Sequence, residues 1–331
     1  MVFDNLTYEQ CVAQGIGPLV FPERLRVTGD GLRVTDAERM KMKAVCMSTM
    51  QQQVHLQHTL EQAWQALEKA GIRAVLMKGA GLAACYPAPE RRPWGDIDLF
   101  VGKNQYHPAC AVMRETFPKA LKFDEELDHY KHYNLIADGI SIEIHRVSVG
   151  LQHPLDERRY ARFEHEGMTM SEERLTINGL EVRVPEPTFN VLFVFLHSWE
   201  HAITQGACLR QLYDLSFLMQ HYADRIDYKR LHAYLRALHL EEPWAIYRDI
   251  LENRPTDNPF LTDMLNGKLV EPKQDKIEAT NRFVRKYKTM QARLGNARRI
   301  RRYSPAYARH MVATTLLHGA SRLFAKDRKW E

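Results

Sequence analysis

Asp96 and Asp98 flank Ile97 in a run that continues apolar through Val101. On a strand, residues two apart project from the same face, so both carboxylates would converge on one side. Hard divalent cations take such oxygen ligands. A third carboxylate, Glu143, lies in Ser141-Ile142-Glu143-Ile144-His145, where polar and apolar residues alternate. Three carboxylates from neighbouring strands can hold two Mg²⁺ about 3.5–4 Å apart and clamp the attacking and leaving oxygens of an in-line displacement at phosphorus. An Asp-x-Asp pair alone is more often a solvated surface pair. Lys78-Gly79 adds weight to the catalytic reading. A Gly-led turn from strand to helix exposes backbone N–H groups that hold phosphate, and a Lys beside it neutralises triphosphate charge.

Several histidines could assist. His145 shares the face of Glu143 and is suited to ligating a metal, orienting a carboxylate or acting as a base, or to a structural hydrogen bond. His129 and His132 stand in an aromatic-rich stretch that could meet an acceptor. His197 and His201 have the i, i+4 spacing of zinc ligands, but Ser198 stands where the His-Glu-x-x-His pattern requires Glu. They are read as helix-packing or pocket-lining residues. Arg210 and Asp214, also i, i+4, are read as a helix ion pair contributing about 0.2–0.5 kcal/mol.

The elements that must position these groups are legible from capping and periodicity. Thr35-Asp36-Ala37-Glu38 has the spacing of a capping box, and apolar residues recur at helical intervals up to Gly71, which predicts a helix over 36–70. Residues 72–77 read as a buried strand broken by Lys78-Gly79-Ala80-Gly81, with a short helix over 82–86 and a second strand over 97–101. A helix is expected over 107–117. Strands over 130–137 and 141–147 are joined at Asp138-Gly139, and a further strand pair turns at Asn178-Gly179. Past Pro185 and Pro187 the pattern becomes helical, with Phe189, Leu192, Phe193, Leu196 and Trp199 on one periodicity.

Taken together, residues 75–82 and 91–101 resemble the signature of the uncharacterised bacterial nucleotidyltransferase family of the DNA polymerase beta superfamily. That signature runs Leu-Lys-Gly, a small helix, then Arg-Pro-x-Gly-Asp-x-Asp-Leu-Leu-Val. Gln14-Gly15-Ile16-Gly17-Pro18-Leu19, Ile142-Glu143-Ile144-His145, Glu186-Pro187 leading to His197, and Arg210 to Asp214 are similar to further family stretches, so the likeness spans roughly residues 10–250. It implies an α+β fold: a polymerase-beta-like core, with a small mixed sheet and flanking helices, plus a mainly helical C-terminal part. It also implies Asp96, Asp98 and Glu143 as catalytic metal ligands, with Lys78, Gly79 and Gly95 at the nucleotide, two Mg²⁺ as cofactors and an NTP as donor. The sequence departs from the superfamily pattern at Ala80, where a Ser hydroxyl usually helps bind the triphosphate.

The 331 residues suffice for two ordinary domains, and 45% hydrophobic and 26% charged residues with a mean hydropathy of −0.44 exclude a fibrous or disordered chain. Five scattered cysteines without C-x-x-C spacing point to reduced thiols. No run approaches the ~20 apolar residues of a transmembrane helix, and a cytoplasmic protein is expected. The net charge of +5 is unevenly placed: from Lys273 onward sixteen Lys and Arg face four Asp and Glu, leaving the first 272 residues at −7. The expected organisation is an N-terminal helical segment (1–70), a nucleotidyltransferase core (71–184), a helical domain (185–272) and a basic helical tail (273–331). The tail suits an anionic partner such as RNA or a membrane surface, or it packs on the acidic body. The function expected is Mg²⁺-dependent transfer of a nucleoside monophosphate from an NTP to a small-molecule, protein or RNA acceptor. The alternatives are a catalytically weak nucleotide-binding or scaffold protein, or a protein that binds RNA or a membrane surface through its tail.

Overall fold

A computed structural model describes residues 6–26, 35–123, 127, 129–151, 154–269 and 282–324. Helices α1 (Tyr8–Ala13), α2 (Gly17–Arg26) and α3 (Asp36–Lys69) lead into the sheet. Thr35 and Glu38 form the reciprocal capping box of α3, Thr35 Oγ1 accepting from the Glu38 amide and the Glu38 carboxylate accepting from the Thr35 amide.

The core then runs β1 (Val75–Met77), α4 (Gly79–Ala83), β2 (Asp96–Phe100) and α5 (Gly102–Thr116), followed by three consecutive strands, β3 (Leu121–Lys122), β4 (His132–Ala137) and β5 (Ile140–His145). The helix after β1 begins at Gly79, three residues before the expected position. Lys78, at φ +49°, turns the chain by itself, and Gly79 follows at φ +36°. The five strands lie in the order β1-β2-β5-β4-β3. All pairings are antiparallel except β2 with β5, which run parallel with Asp96 opposite Ser141 and Asp98 opposite Glu143. The β4–β5 hairpin turns at Asp138-Gly139 with both residues at positive φ, as a two-residue turn matching strand twist requires.

Next come α6 (Pro154–Glu164), a single π-helical turn at His165–Thr169, and the hairpin of β6 (Arg174–Ile177) and β7 (Leu180–Arg183). The chain closes with α7 (Pro187–Thr204), α8 (Leu209–His221), α9 (Tyr228–Ala237), α10 (Glu241–Leu251), α11 (Phe260–Leu265), α12 (Arg282–Ile300) and α13 (Pro305–Phe324). Among the described residues no helix is long and apolar enough to cross a membrane.

Two hydrophobic clusters meet at the sheet. On one face Ile97, Leu99, Ile142 and Ile144 pack with Leu56, Leu60 and Trp64 of α3 and Tyr106 and Met113 of α5. On the other, Val75, Met77 and Phe100 join a larger helical core centred on α7. That helix is buried on nearly every side, as an all-round apolar helix must be. Because Asp96 and Asp98 share the face of Phe100, strand alternation turns the acidic residues toward the helical core. The site therefore forms where sheet and α7–α8 meet.

Candidate active site

The parallel register of β2 and β5 brings the three predicted carboxylates together. Asp98 is fully buried, while Asp96 and Glu143 are partly exposed. Two cationic groups hold Asp98 through one oxygen: Lys78 Nζ lies 3.0 Å and His145 Nε2 3.0 Å from Oδ1. His145 Nε2 also lies 3.1 Å from Glu143 Oε2, and its Nδ1 faces the Val147 carbonyl at 3.3 Å. With acceptors at both ring nitrogens, only the doubly protonated imidazolium donates to all of them. Burial alone would lower the His145 pKa, but the hydrogen bonds to Asp98 and Glu143 outweigh it and hold the value above the ordinary one.

The same contacts set the carboxylates. Burial works to raise the Asp98 pKa, yet Lys78 and His145 keep it well below the usual range. Glu143 is lowered, its burial outweighed by the His145 hydrogen bond. Asp96 moves the other way, raised first by the Asp98 charge and then by burial. Lys78 stays charged because Asp98, Asp96 and Glu143 outweigh its burial. Three carboxylates against two cations leave the cluster at −1, which favours added positive charge.

Beyond Asp96 opens a cavity of about 420 Å³, reached by Lys78, Gly79, His197, His201 and Arg210. His197 and His201 on α7 are 3.1 Å apart at their Nε2 atoms. Burial, with Lys78 nearby, pushes His197 well below its ordinary value and His201 down to about 4, so both are neutral at pH 7. They line the pocket, as their helical spacing led us to expect. His132 is 3.8 Å from Glu143 Oε2 and stacks obliquely on His145, with ring centroids 5.0 Å apart; its pKa is lowered by burial to about 4. His129 is one step further out, its ring 5.3 Å from that of His132.

Arg210 and Asp214 do not pair with each other. Asp214 takes a two-point ion pair from Arg92, Nε to Oδ1 at 2.6 Å and Nη2 to Oδ2 at 2.9 Å, and accepts from the Tyr86 hydroxyl at 2.6 Å. Arg210 donates to the Pro93 carbonyl at 3.1 Å. The i, i+4 spacing suggested a local pair, but a buried guanidinium arriving from the loop before β2 makes the stronger, two-point contact. Arg92 also donates to the Gly79 carbonyl at 3.0 Å, tying the loop before β2 to the turn after β1. Nothing in the local pattern singled out Arg92; its signal is its place in the Arg-Pro stretch before Gly-Asp-x-Asp.

Gly79 is closely packed: a Cβ there would stand 3.3 Å from the Asp96 carbonyl and 3.4 Å from the Trp94 ring. Ala80 beside it is buried and offers no hydroxyl. Gly95 is exposed with open space around its Cβ position, next to Asp96 but outside the cavity lining.

The described part of the basic tail, α12–α13, packs on acidic groups of the body. Arg302 pairs with Asp263 at 2.9 Å, the Tyr303 hydroxyl donates to Asp263 at 2.9 Å, and the Ser304 hydroxyl donates to Glu242 at 2.6 Å. Residues 273–281 and 325–331 of that expected tail lie outside the described residues.

Residues 4–252 match the family described as uncharacterised nucleotidyltransferase. No curated protein matches. Among solved structures, an antigenic nucleotidyltransferase-like protein from Paracoccidioides brasiliensis is similar at 16% identity, covering 60% of this chain and 92% of that one with a TM-score of 0.34, a likeness too slight to carry an argument.

Proposed function

This chain belongs to the uncharacterised nucleotidyltransferase family, and on that premise we propose that it transfers a nucleoside monophosphate from an NTP to a hydroxyl, amine or phosphate, releasing pyrophosphate, with Mg²⁺ held by Asp96, Asp98 and Glu143. The observation that carries the metal assignment is Asp98 Oδ2, a buried carboxylate oxygen with no hydrogen-bond partner. Leaving such an atom unmatched costs about 1–3 kcal/mol, and a cation removes that cost. The repulsion that raises Asp96 is relieved the same way. When bound, the metal ions stabilise charge on the phosphoryl oxygens.

The chain's own residues do the rest. Lys78 and His145 grip Oδ1 of Asp98 and so aim Oδ2 away from themselves. Glu143 completes the carboxylate set from the neighbouring strand. The backbone turn at Gly79, braced by Arg92, offers its amides to the triphosphate, while Lys78 and Arg210 add positive charge along the cavity. Neutral His197 and His201 form a wall that donates hydrogen bonds without adding charge.

Calorimetric titration with ATP, GTP, CTP and UTP, with and without Mg²⁺, tests the proposal. Metal-dependent binding that disappears in Asp98→Asn supports it; nucleotide binding indifferent to both Mg²⁺ and the substitution sinks it.

Ala80 favours a second reading, in which the chain binds a nucleotide without turning it over. Tight ATP binding with no pyrophosphate released over hours would select it. For the tail, residues 282–324 hold eleven Lys and Arg and no Asp or Glu, which suits an anionic partner such as RNA or an anionic membrane surface. Salt-dependent RNA binding that is lost on truncation after Pro272 supports RNA as that partner, and salt-insensitive binding excludes it.

A further inference from the structure

Away from the carboxylate cluster, three residues from distant parts of the chain bring their ligating atoms together. Asp156 near the start of α6, His239 in the connection between α9 and α10, and His310 on α13 place a carboxylate oxygen and two imidazole nitrogens within 4.8 Å of one another. His310 Nε2 lies 2.8 Å from Asp156 Oδ2, and the two imidazoles face each other with ring centroids 4.1 Å apart at 28°. We propose that Asp156, His239 and His310 form a binding site for a borderline transition-metal ion of the Zn²⁺ class.

The ligand chemistry favours that class. Two imidazoles and one carboxylate suit Zn²⁺ and its neighbours in the divalent series, whereas Mg²⁺ and Ca²⁺ prefer oxygen throughout. Three protein ligands leave a fourth tetrahedral position for water. Asp156 is prepared for one-sided coordination. Arg159 Nη1 stands 3.3 Å from Oδ1 and is itself fixed by donating to the Ala237 carbonyl at 3.0 Å, which leaves Oδ2 turned toward the imidazoles. Such outer contacts orient metal-binding carboxylates. Asp156 is buried, His310 is partly covered and His239 is exposed, so an ion can enter from the His239 side.

The placement gives the site a purpose distinct from nucleotidyl transfer. Asp156 and His239 lie within residues 4–252, the family's extent, while His310 belongs to the helical hairpin beyond it. An ion at this point clamps the C-terminal hairpin to the family core. Zn²⁺ occupancy would then govern how firmly α13 stays docked, leaving Asp96, Asp98 and Glu143 untouched.

The test is titration of Zn²⁺ into the full-length, chelator-stripped chain, alongside Co²⁺ to read tetrahedral geometry from its visible absorption. His239→Ala removes an exposed side chain. His310→Gln keeps a donor for Asp156, so the fold survives while the ligand is lost. The wild type should bind one more equivalent than either variant, at an affinity at least tenfold higher, with a tetrahedral Co²⁺ band that both variants lack. Zn²⁺ should raise its melting temperature by about 3–6 °C more than that of His239→Ala, which keeps the carboxylate cluster around Glu143. Equal stoichiometry and affinity in wild type and both variants, or a wild type without the tetrahedral band, overturns the proposal.

Discussion

Arg92 and Asp214, 122 residues apart, form a buried two-point ion pair that joins the loop before the Asp96/Asp98 strand to helix α8. Both side chains are almost wholly excluded from water, so removing one strands the charge of the other. Asp214→Asn should cost about 3–5 kcal/mol in urea unfolding. An Arg92→Met/Asp214→Leu double variant should recover much of that loss, because no charge stays buried alone. Equal destabilisation by single and double variants would show that packing, rather than charge pairing, dominates.

Asp98→Asn should abolish Mg²⁺-dependent nucleotide binding. It should also lower stability by about 1–3 kcal/mol, since the Lys78 ammonium and the His145 ring each lose a charged acceptor inside the protein. Asp96→Asn should weaken metal binding with a smaller stability effect, because Asp96 is less enclosed and the Asp98 charge disfavours its ionisation. Paired thermal melts and nucleotide titrations separate the two effects.

Gly79→Val should reduce nucleotide binding at least tenfold and destabilise the chain by about 2 kcal/mol. A branched side chain tolerates φ +36° poorly and would press on the Asp96 carbonyl and the Trp94 ring. Gly95→Ala, with open space around it, should change stability by less than about 0.5 kcal/mol. If the two substitutions behave alike, the turn after β1 is not the constraint described above.

Glu200, which lines a cavity together with Tyr130 and Tyr307, has its carboxyl raised by burial from 4.5 to about 7, with Lys131 opposing. The folded chain therefore holds this proton more tightly than the unfolded chain. Its contribution to stability is complete below pH ~4.5 and is lost as the pH rises through about 7. His201, lowered to about 4, acts with the opposite sign between there and its ordinary 6.5, so the comparison must be made between variants. Glu200→Gln should gain about 1–3 kcal/mol over wild type at pH 8 relative to pH 5, measured by urea unfolding at each pH. A difference constant with pH would refute the buried-acid assignment.

The elements that can be read from a few neighbouring residues were legible in the sequence. The Thr35 capping box, the Asp-Gly and Asn-Gly turns and the alternation of Asp96 and Asp98 about Ile97 each encode local geometry, and each formed as expected. Glu143 was also within reach: polar alternation in its strand fixed its face, and the family resemblance, rather than any local pattern, grouped it with Asp96 and Asp98; the β2–β5 pairing sets it opposite Asp98. Asp214 shows the limit. Its spacing from Arg210 suggested a helix pair, but its partner arrives from residue 92 through tertiary packing that no local period records. The closing of His197 and His201 over Lys78 is of the same kind: the i, i+4 spacing fixed which face they share, and only the docking of α7 on the sheet decided what that face would meet.

The parallel pairing of β2 with β5 makes the site tolerant of some length changes and brittle to others. Chain added in the short connection between α5 and β3 leaves Asp98 opposite Glu143, because strand pairing fixes their alignment. One residue added or removed inside Ile140–His145 instead shifts the alternation by a single step, turning Glu143 and His145 into the hydrophobic layer and the isoleucines out toward the cavity. For engineering, the connection between α5 and β3 is therefore the place to graft a reporter or a tag, whereas β5 can be varied only by exchanging residues at constant length.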